Sequence, residues 1–316
     1  MRNNLPPFKV LLKGLATFIP GTYRLFCKGT GGTISARYCY SVWLRHLILA
    51  QNTDIPYIPK VVAEIGPGDS IGIGLAALLS GADKYFALDA FKHINSRRNI
   101  KIFDELVELF RKRERIPDER ECPNIYPTLK NYDFPYQILS DELLGGFLEP
   151  GRIDSIRSEL VGSNHSKGFI NYFAPWYNPA VIKENSVDFI YSQFVLEHVD
   201  ELELTYQAMR CWLKPQGLMS HMIDFRCHGT ALDYNGHWAF SDFVWRLVKG
   251  GRPFLLNRQP LSTHLSFFKK FNFMIVDLLK YQSEPGIDHQ QLSARFRNLD
   301  EQDLKTWGVF VRAQKV

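Results

Sequence analysis

Residues 61 to 74 read VVAEIGPGDSIGIG and gather Glu64, Gly66, Pro67, Gly68 and Ser70 in one short stretch, and a second apolar run, YFALDA, ends in Asp89 and Ala90. An apolar run into a glycine turn, a helix, and a second strand closed by a carboxylate is how an open α/β sheet holds a nucleoside-containing ligand at its carboxyl edge. Gly66 and Gly68 allow a sharp turn and close backbone approach, and Asp89 offers two acceptors for ribose hydroxyls. The turn reads E-x-G-P-G-D-S, with Pro67 splitting the glycines, and so departs from the dinucleotide fingerprint G-x-G-x-x-G. A carboxylate at Glu64 would face a pyrophosphate badly. It suits a cationic ligand that carries an ammonium and a sulfonium.

A later block, SVDFIYSQFVLEHVDELELTYQAMRCWLKPQGLMSHMIDF, supplies a strand, a helix, an L-K-P-x-G turn and a further strand in that order. Together with the glycine turn and Asp89, it resembles the class I methyltransferases that use S-adenosylmethionine (SAM). The resemblance covers residues 61–93 and 168–226, and more weakly the C-terminal strands. It implies a Rossmann-like α/β sheet, mostly parallel with an antiparallel last strand, SAM as cofactor and S-adenosylhomocysteine as product. It also implies that Glu64, Gly66, Pro67, Gly68, Ser70, Asp89 and Ala90 line the cofactor, with Ala174 where the adenine lies and Gln193 toward the methionine. The stretch IDFRCHG through GHWAFSDFVWRLV to NRQPLSTHLSFFKKFNF resembles methyltransferases of bacterial surface-polysaccharide synthesis, which implies a glycan hydroxyl as acceptor. Nothing matches the asparagine-proline-proline-aromatic motif of amino-group methyltransferases, which argues against exocyclic amines and nucleic acid.

Methyl transfer is an in-line displacement, so the protein must align the nucleophile and exclude water, and a neutral hydroxyl also needs a base. The candidates cluster after the fourth and fifth strands. His198 is the first choice, because an unperturbed histidine titrates near neutrality and the rate would then rise through a pKa of about 6–7. Asp224 and His228 are the alternatives, one of them able to orient the other. A structural histidine bonded to backbone is the competing reading of His198. His221 and Asp224 sit out of phase on a strand, so at most one faces a pocket. His237, Trp238, Asn257 and Arg258 fall in a segment, about 227–268, read as a substrate cap. The leading function is therefore O-methylation of a saccharide or related small acceptor. The rivals are N-methylation of RNA or a small molecule, and a SAM-binding scaffold without turnover, which labelled-SAM turnover separates.

The chain of 316 residues can bury a large core, and 45% apolar with 22% charged residues is ordinary for a globular protein. A net charge of +5 is mild and lacks the dense basic stripe of a dedicated nucleic-acid binder. The five cysteines have no metal-ligand or disulfide spacing, so no metal is expected. With no spanning segment or secretion signal evident, a cytoplasmic location is the expectation, and the oligomeric state stays open. Residues 1–55 read as a helical cover and 56–316 as the SAM-binding domain, with a helical insertion at about 94–165. In the cover, Phe8 to Ile19 is a helix whose apolar positions 8, 11, 12, 15, 18 and 19 should pack on the domain, with Lys9 and Lys13 opposite. Arg24 and Lys28 make a weak membrane-surface association the alternative.

Overall fold

The computed structural model describes residues 5–22, 32–51, 57–92, 95–162, 168–176 and 178–316. Arg24, Lys28 and Cys27 lie outside them. Seven strands form one sheet: β1 (Val61–Ile65), β2 (Lys84–Leu88), β3 (Ile170–Phe173), β4 (Val187–Gln193), β5 (Leu213–Asp224), β6 (Phe273–Gln282) and β7 (Thr306–Lys315). Their spatial order is β3-β2-β1-β4-β5-β7-β6. The first five run parallel, and β7 is antiparallel to both β5 and β6. This is the Rossmann-like class I methyltransferase sheet, in the arrangement expected of the two C-terminal strands.

The strands are apolar on both sides because helices cover both faces. Along β1, Val62 joins one core, and Ala63 and Ile65 join the other. The first core takes α2 (Ala36–Leu49), α3 (Gly72–Leu79), α4 (Ser96–Lys112) and α6 (Pro150–Val161); the second takes α7 (Leu202–Trp212) and α9 (Leu261–Lys270). α3 is apolar on every side and wholly buried, as a helix with no solvent face must be. No helix among the described residues is long and apolar enough to cross a membrane.

Between β2 and β3 lie α4, α5 (Asp141–Phe147), α6 and an irregular proline-rich segment from 113 to 140. Arg45, fully buried on α2, fixes that segment. Its guanidinium donates to the carbonyls of Pro117 (2.9 Å) and Pro127 (2.5 Å) and to Glu119 (3.1 Å), and it lies over the Tyr132 ring. A planar donor fork suits this task, since it satisfies several carbonyls that the prolines leave without a regular ladder.

The N-terminal helix α1 (Phe8–Ala16) packs on α8 (Asp242–Lys249), though on a different face from the one the spacing suggested. Val10, Leu11 and Gly14 meet α8 and Thr17 the Gly250–Gly251 turn that follows it, while Phe8, Leu12, Leu15, Phe18 and Ile19 stay exposed. Close approach decides the choice: a Cβ on Gly14 would stand 2.0 Å from the Leu247 carbonyl oxygen, so only the glycine side lets the two backbones meet.

Candidate functional site

Register brings the two sequence signals together. Ile65 pairs with Leu88, and the Gly66 amide donates to the Leu88 carbonyl at 2.8 Å, so the glycine turn and Asp89 share one edge of the sheet. Gly66 and Gly68 have φ of 70° and 74°, the left-handed region that glycine enters without strain. A Cβ on Gly66 would come within 2.5 Å of Val195 Cγ1, in the loop after β4. Gly66→Val combines a forced φ with that overlap and should cost about 1–3 kcal/mol in urea unfolding. Val195→Ala in the same chain should recover part of the loss. A Gly66→Val protein of wild-type stability would show that the loops move apart freely.

Around that turn the side chains divide by depth. Ser70 is bound from the N-terminal cover: its amide donates to Thr33 Oγ1 at 3.2 Å and its hydroxyl to the Thr33 carbonyl. Asp89 accepts from the Ala90 amide at 2.7 Å, and its own carbonyl holds the Trp176 amide (3.1 Å), just past Ala174. Glu64, by contrast, lies beneath the turn. It accepts a hydrogen bond from Tyr85 and faces the Gly74 backbone in the first turn of α3. Burial pushes its carboxyl up to about 8. At neutral pH it is mostly protonated, so the charge expected to meet a cationic ligand is not displayed there.

Gln193, at the end of β4, joins three parts of the chain. Its amide nitrogen donates to the Tyr126 carbonyl (2.8 Å), and its oxygen lies 3.2 Å from His46 Nε2. That orientation makes Nε2 the protonated nitrogen of His46, so Nδ1 accepts from Ser220 Oγ at 2.6 Å. Burial holds His46 down at about 4, hence neutral. One amide hydrogen and one lone pair of Gln193 remain for other partners.

The structure brings His198, Asp224 and His228 together. Asp224 Oδ2 is 3.1 Å from His228 Nε2, and the two imidazoles lie 5.2 Å apart between centroids. Arg226 forks onto both Asp224 oxygens at 2.7–3.0 Å. Burial opposes the Asp224 charge, but His228 and Arg226 outweigh it and hold the carboxyl at about 2. His198 differs from the expectation: burial and the neighbouring His228 pull it to about 4, so it does not titrate near neutrality. His228 has φ of 47°, in the left-handed region that few non-glycine residues enter, histidine among the commoner of them. Beside this group Glu197, buried next to Asp224, is pushed well above the carboxylate range by burial and by that charge. A crevice of only about 10 Å³ opens among Glu197, Asp224, Arg226, His237 and Arg258.

His221 is buried, its Nδ1 2.8 Å from Ser192 Oγ, so of the pair on β5 only Asp224 reaches the edge. Asn257 clamps the turn that carries His198, donating to the carbonyls of Leu196 (2.7 Å) and Val199 (2.8 Å). Arg258 is buried against Trp245 and Phe296 and pairs with Asp242. Asn257 thereby ties the segment after β5 to the turn after β4. Trp238 is buried in the second core, with its indole donating to the Arg258 carbonyl at 3.0 Å. Sequence reasoning missed a cluster of rings, Tyr126, Tyr281 and Trp307, with centroids 4.7–5.2 Å apart and Arg226 4.8 Å over Trp307. Tyr126 sits in the irregular segment and the other two on β6 and β7, where only the β6–β7 register makes them neighbours. Among the described residues no group of three or more His, Cys, Asp or Glu side chains could hold a metal ion.

Comparison with known proteins gives a match to the family described as "Methyltransferase domain" over residues 166–220, which takes in β3, β4, α7 and most of β5. No curated protein matches the sequence. Similar solved structures include an S-adenosylmethionine dependent methyltransferase from Mesorhizobium loti, 13% identical, covering 87% of this chain and 97% of that one with a TM-score of 0.40. Another is a SAM-dependent methyltransferase from Methanosarcina mazei, 14% identical, covering 82% and 94% with a TM-score of 0.41. The geranyl diphosphate C-methyltransferase of Streptomyces coelicolor, in complex with Mg2+, geranyl diphosphate and S-adenosyl-L-homocysteine, is 11% identical and covers 88% and 78% with a TM-score of 0.45. Scores this low leave the fold assignment resting on the strand order.

Proposed function

We propose that the protein transfers a methyl group from SAM to an oxygen of a saccharide or related small acceptor. The observation that carries the methyltransferase part is the shared edge: a left-handed glycine turn after β1, Asp89 after β2 and Gln193 after β4, on a class I sheet. The chemistry of that donor set fits the cofactor. Asp89 would take the ribose hydroxyls, the turn would lie against the methionine portion, and Ala174 would border the adenine. When bound, SAM supplies a methyl group whose S–C bond breaks as the acceptor's new bond forms.

The oxygen acceptor is supported by the base. Asp224, ionised at all working pH values, holds His228 through Nε2, which leaves Nδ1 to take the proton of a hydroxyl as it is methylated. A neutral amine is already nucleophilic and would depend on such a pairing less than a hydroxyl does. The ring cluster of Tyr126, Tyr281 and Trp307, reached through Arg226, suits the apolar faces of a sugar, with Arg226 and Gln193 near its hydroxyls. Asp89→Ala removes a charge-assisted acceptor pair, each bond of which is worth about 1.5–3 kcal/mol, so SAM affinity should fall at least about tenfold by calorimetry. Unchanged affinity in a folded Asp89→Ala protein would remove the ribose assignment. Turnover of labelled SAM with sugar hydroxyl acceptors tests the substrate class, and methylation confined to amines would overturn it.

A further inference from the structure

We propose that the outer face of α1 docks the protein onto an anionic lipid surface. Phe8, Leu12, Leu15 and Ile19 recur at i, i+4, i+7 and i+11 and so form one stripe along the helix and the turn that continues it. With Phe18 they are 45–73% exposed, and Phe243 on the neighbouring α8 is 71% exposed. Scattered apolar residues on a surface need no explanation, but a run of large ones on one short element does. Among the described residues nothing covers them, because α1 spends its glycine face on α8. Lys9 and Lys13 lie at helical angles between the docked face and the stripe, where long basic side chains can reach headgroups while the apolar side chains enter the acyl boundary.

Charge selects the occupant. The first 36 residues contain five Lys and Arg and no Asp or Glu, so the rest of the chain, in which Arg37 and Arg45 pair with Glu121 and Glu119, sums to zero and the whole positive excess belongs to this segment. A second copy would set two such basic segments against each other. An anionic bilayer would attract the segment and take up the stripe at once. Such docking would also hold the catalytic domain near acceptors that are themselves carried on lipid.

The test is sedimentation of the full chain with phosphatidylcholine vesicles with and without phosphatidylglycerol, alongside Leu12→Glu/Leu15→Glu. Both positions are exposed, so the melting temperature and SAM affinity should not change. Wild type should bind the anionic vesicles, release as salt rises, and bind neutral vesicles weakly. The double variant should bind at least about tenfold less. Wild type that fails to sediment with anionic vesicles overturns the proposal. So does a dimer, seen by light scattering, that the same variant dissociates while vesicle binding is absent, since the stripe would then belong to a second copy. Because SAM affinity is read in the same samples, failure here is distinguishable from failure of the methyltransferase reading.

Discussion

His228→Ala is expected to lower turnover by about 10²–10⁴ with SAM affinity within a few fold of wild type, which is the range a positioned base contributes. The loss should fall in kcat, because the imidazole acts on a proton that moves only during the reaction. Asp224→Asn should lose nearly as much. The carboxylate accepts from Nε2 at 3.1 Å and so fixes the tautomer with Nδ1 unprotonated, whereas an amide can present its NH2 and reverse that choice. His198→Ala should cost less, since His198 makes its contact with the group through the His228 ring. Its pKa of about 4 keeps it neutral above pH 5, so the acid limb of the rate profile should not be its titration. Steady-state kinetics with saturating acceptor decide the matter. If His228→Ala keeps more than about a tenth of the turnover, alignment alone carries the rate and the base role is withdrawn.

Stability should peak between about pH 6 and 7 and collapse toward pH 4. His46, His221, His237 and His264 are at most 2% exposed, and burial lowers them to about 4, 3, 3 and 3. Their folded values lie below the unfolded 6.5, so the unfolded chain binds the extra protons. The stabilisation is complete above 6.5 and is lost as pH falls toward 4, by up to about 1.4 kcal/mol per group per pH unit. Glu64, raised by burial to about 8, and Glu197, raised well above its usual range by burial and Asp224, have the opposite sign. Their stabilisation is complete below about 4.5 and is lost as pH rises through the folded value. With His198, also held at about 4, five groups against two leave a net acid-side slope of about 4 kcal/mol per unit near pH 5, enough by about pH 4 to exhaust a stability at the lower end of the typical 5–15 kcal/mol. Melting temperatures from pH 4 to 9 test the sign on both sides. Glu64→Gln should keep the Tyr85 hydrogen bond and raise the melting temperature at pH 8. A wild-type curve flat from pH 4.5 to 7 would mean that the histidines are hydrated rather than buried.

The sheet was readable because its signals are local. The glycine turn, Asp89 and the L-K-P-x-G turn each occupy a few consecutive residues, and apolar runs covered on both faces announce themselves without partners. The catalytic candidates were legible as types, since His198, Asp224 and His228 fall at strand ends. Their ranking was not, because it depends on which imidazole is buried and which one Asp224 can reach across a turn held by Arg226. Glu64 was misread for a related reason: its position before the turn is visible, but the side of β1 on which it points, under α3 and against Tyr85, is set by pairing with β2. The face of α1 was misjudged because apolar periodicity marks the larger side chains, and the contact is made through Gly14 instead. The ring cluster of Tyr126, Tyr281 and Trp307 depends on three segments that share no pattern.

The burial of α2 ties the two ends of the chain in time as well as in space. Arg312, near the C-terminus, donates to the Leu49 and Gln51 carbonyls that end this helix, and His46 on the same helix waits for Ser220 and Gln193. At about 5–20 residues per second, a ribosome needs about 13–50 s to travel from Gln51 to Arg312. For much of that interval an apolar helix carrying Trp43, Leu44 and Leu47 lacks part of its cover, since Phe189 and Tyr191 of β4, which meet Trp43, lie about 140 residues beyond the end of the helix and Arg312 later still. This helix is therefore made well before its last partner and is among the last parts to be finished, and for that long it is a client for whatever guards nascent apolar chains.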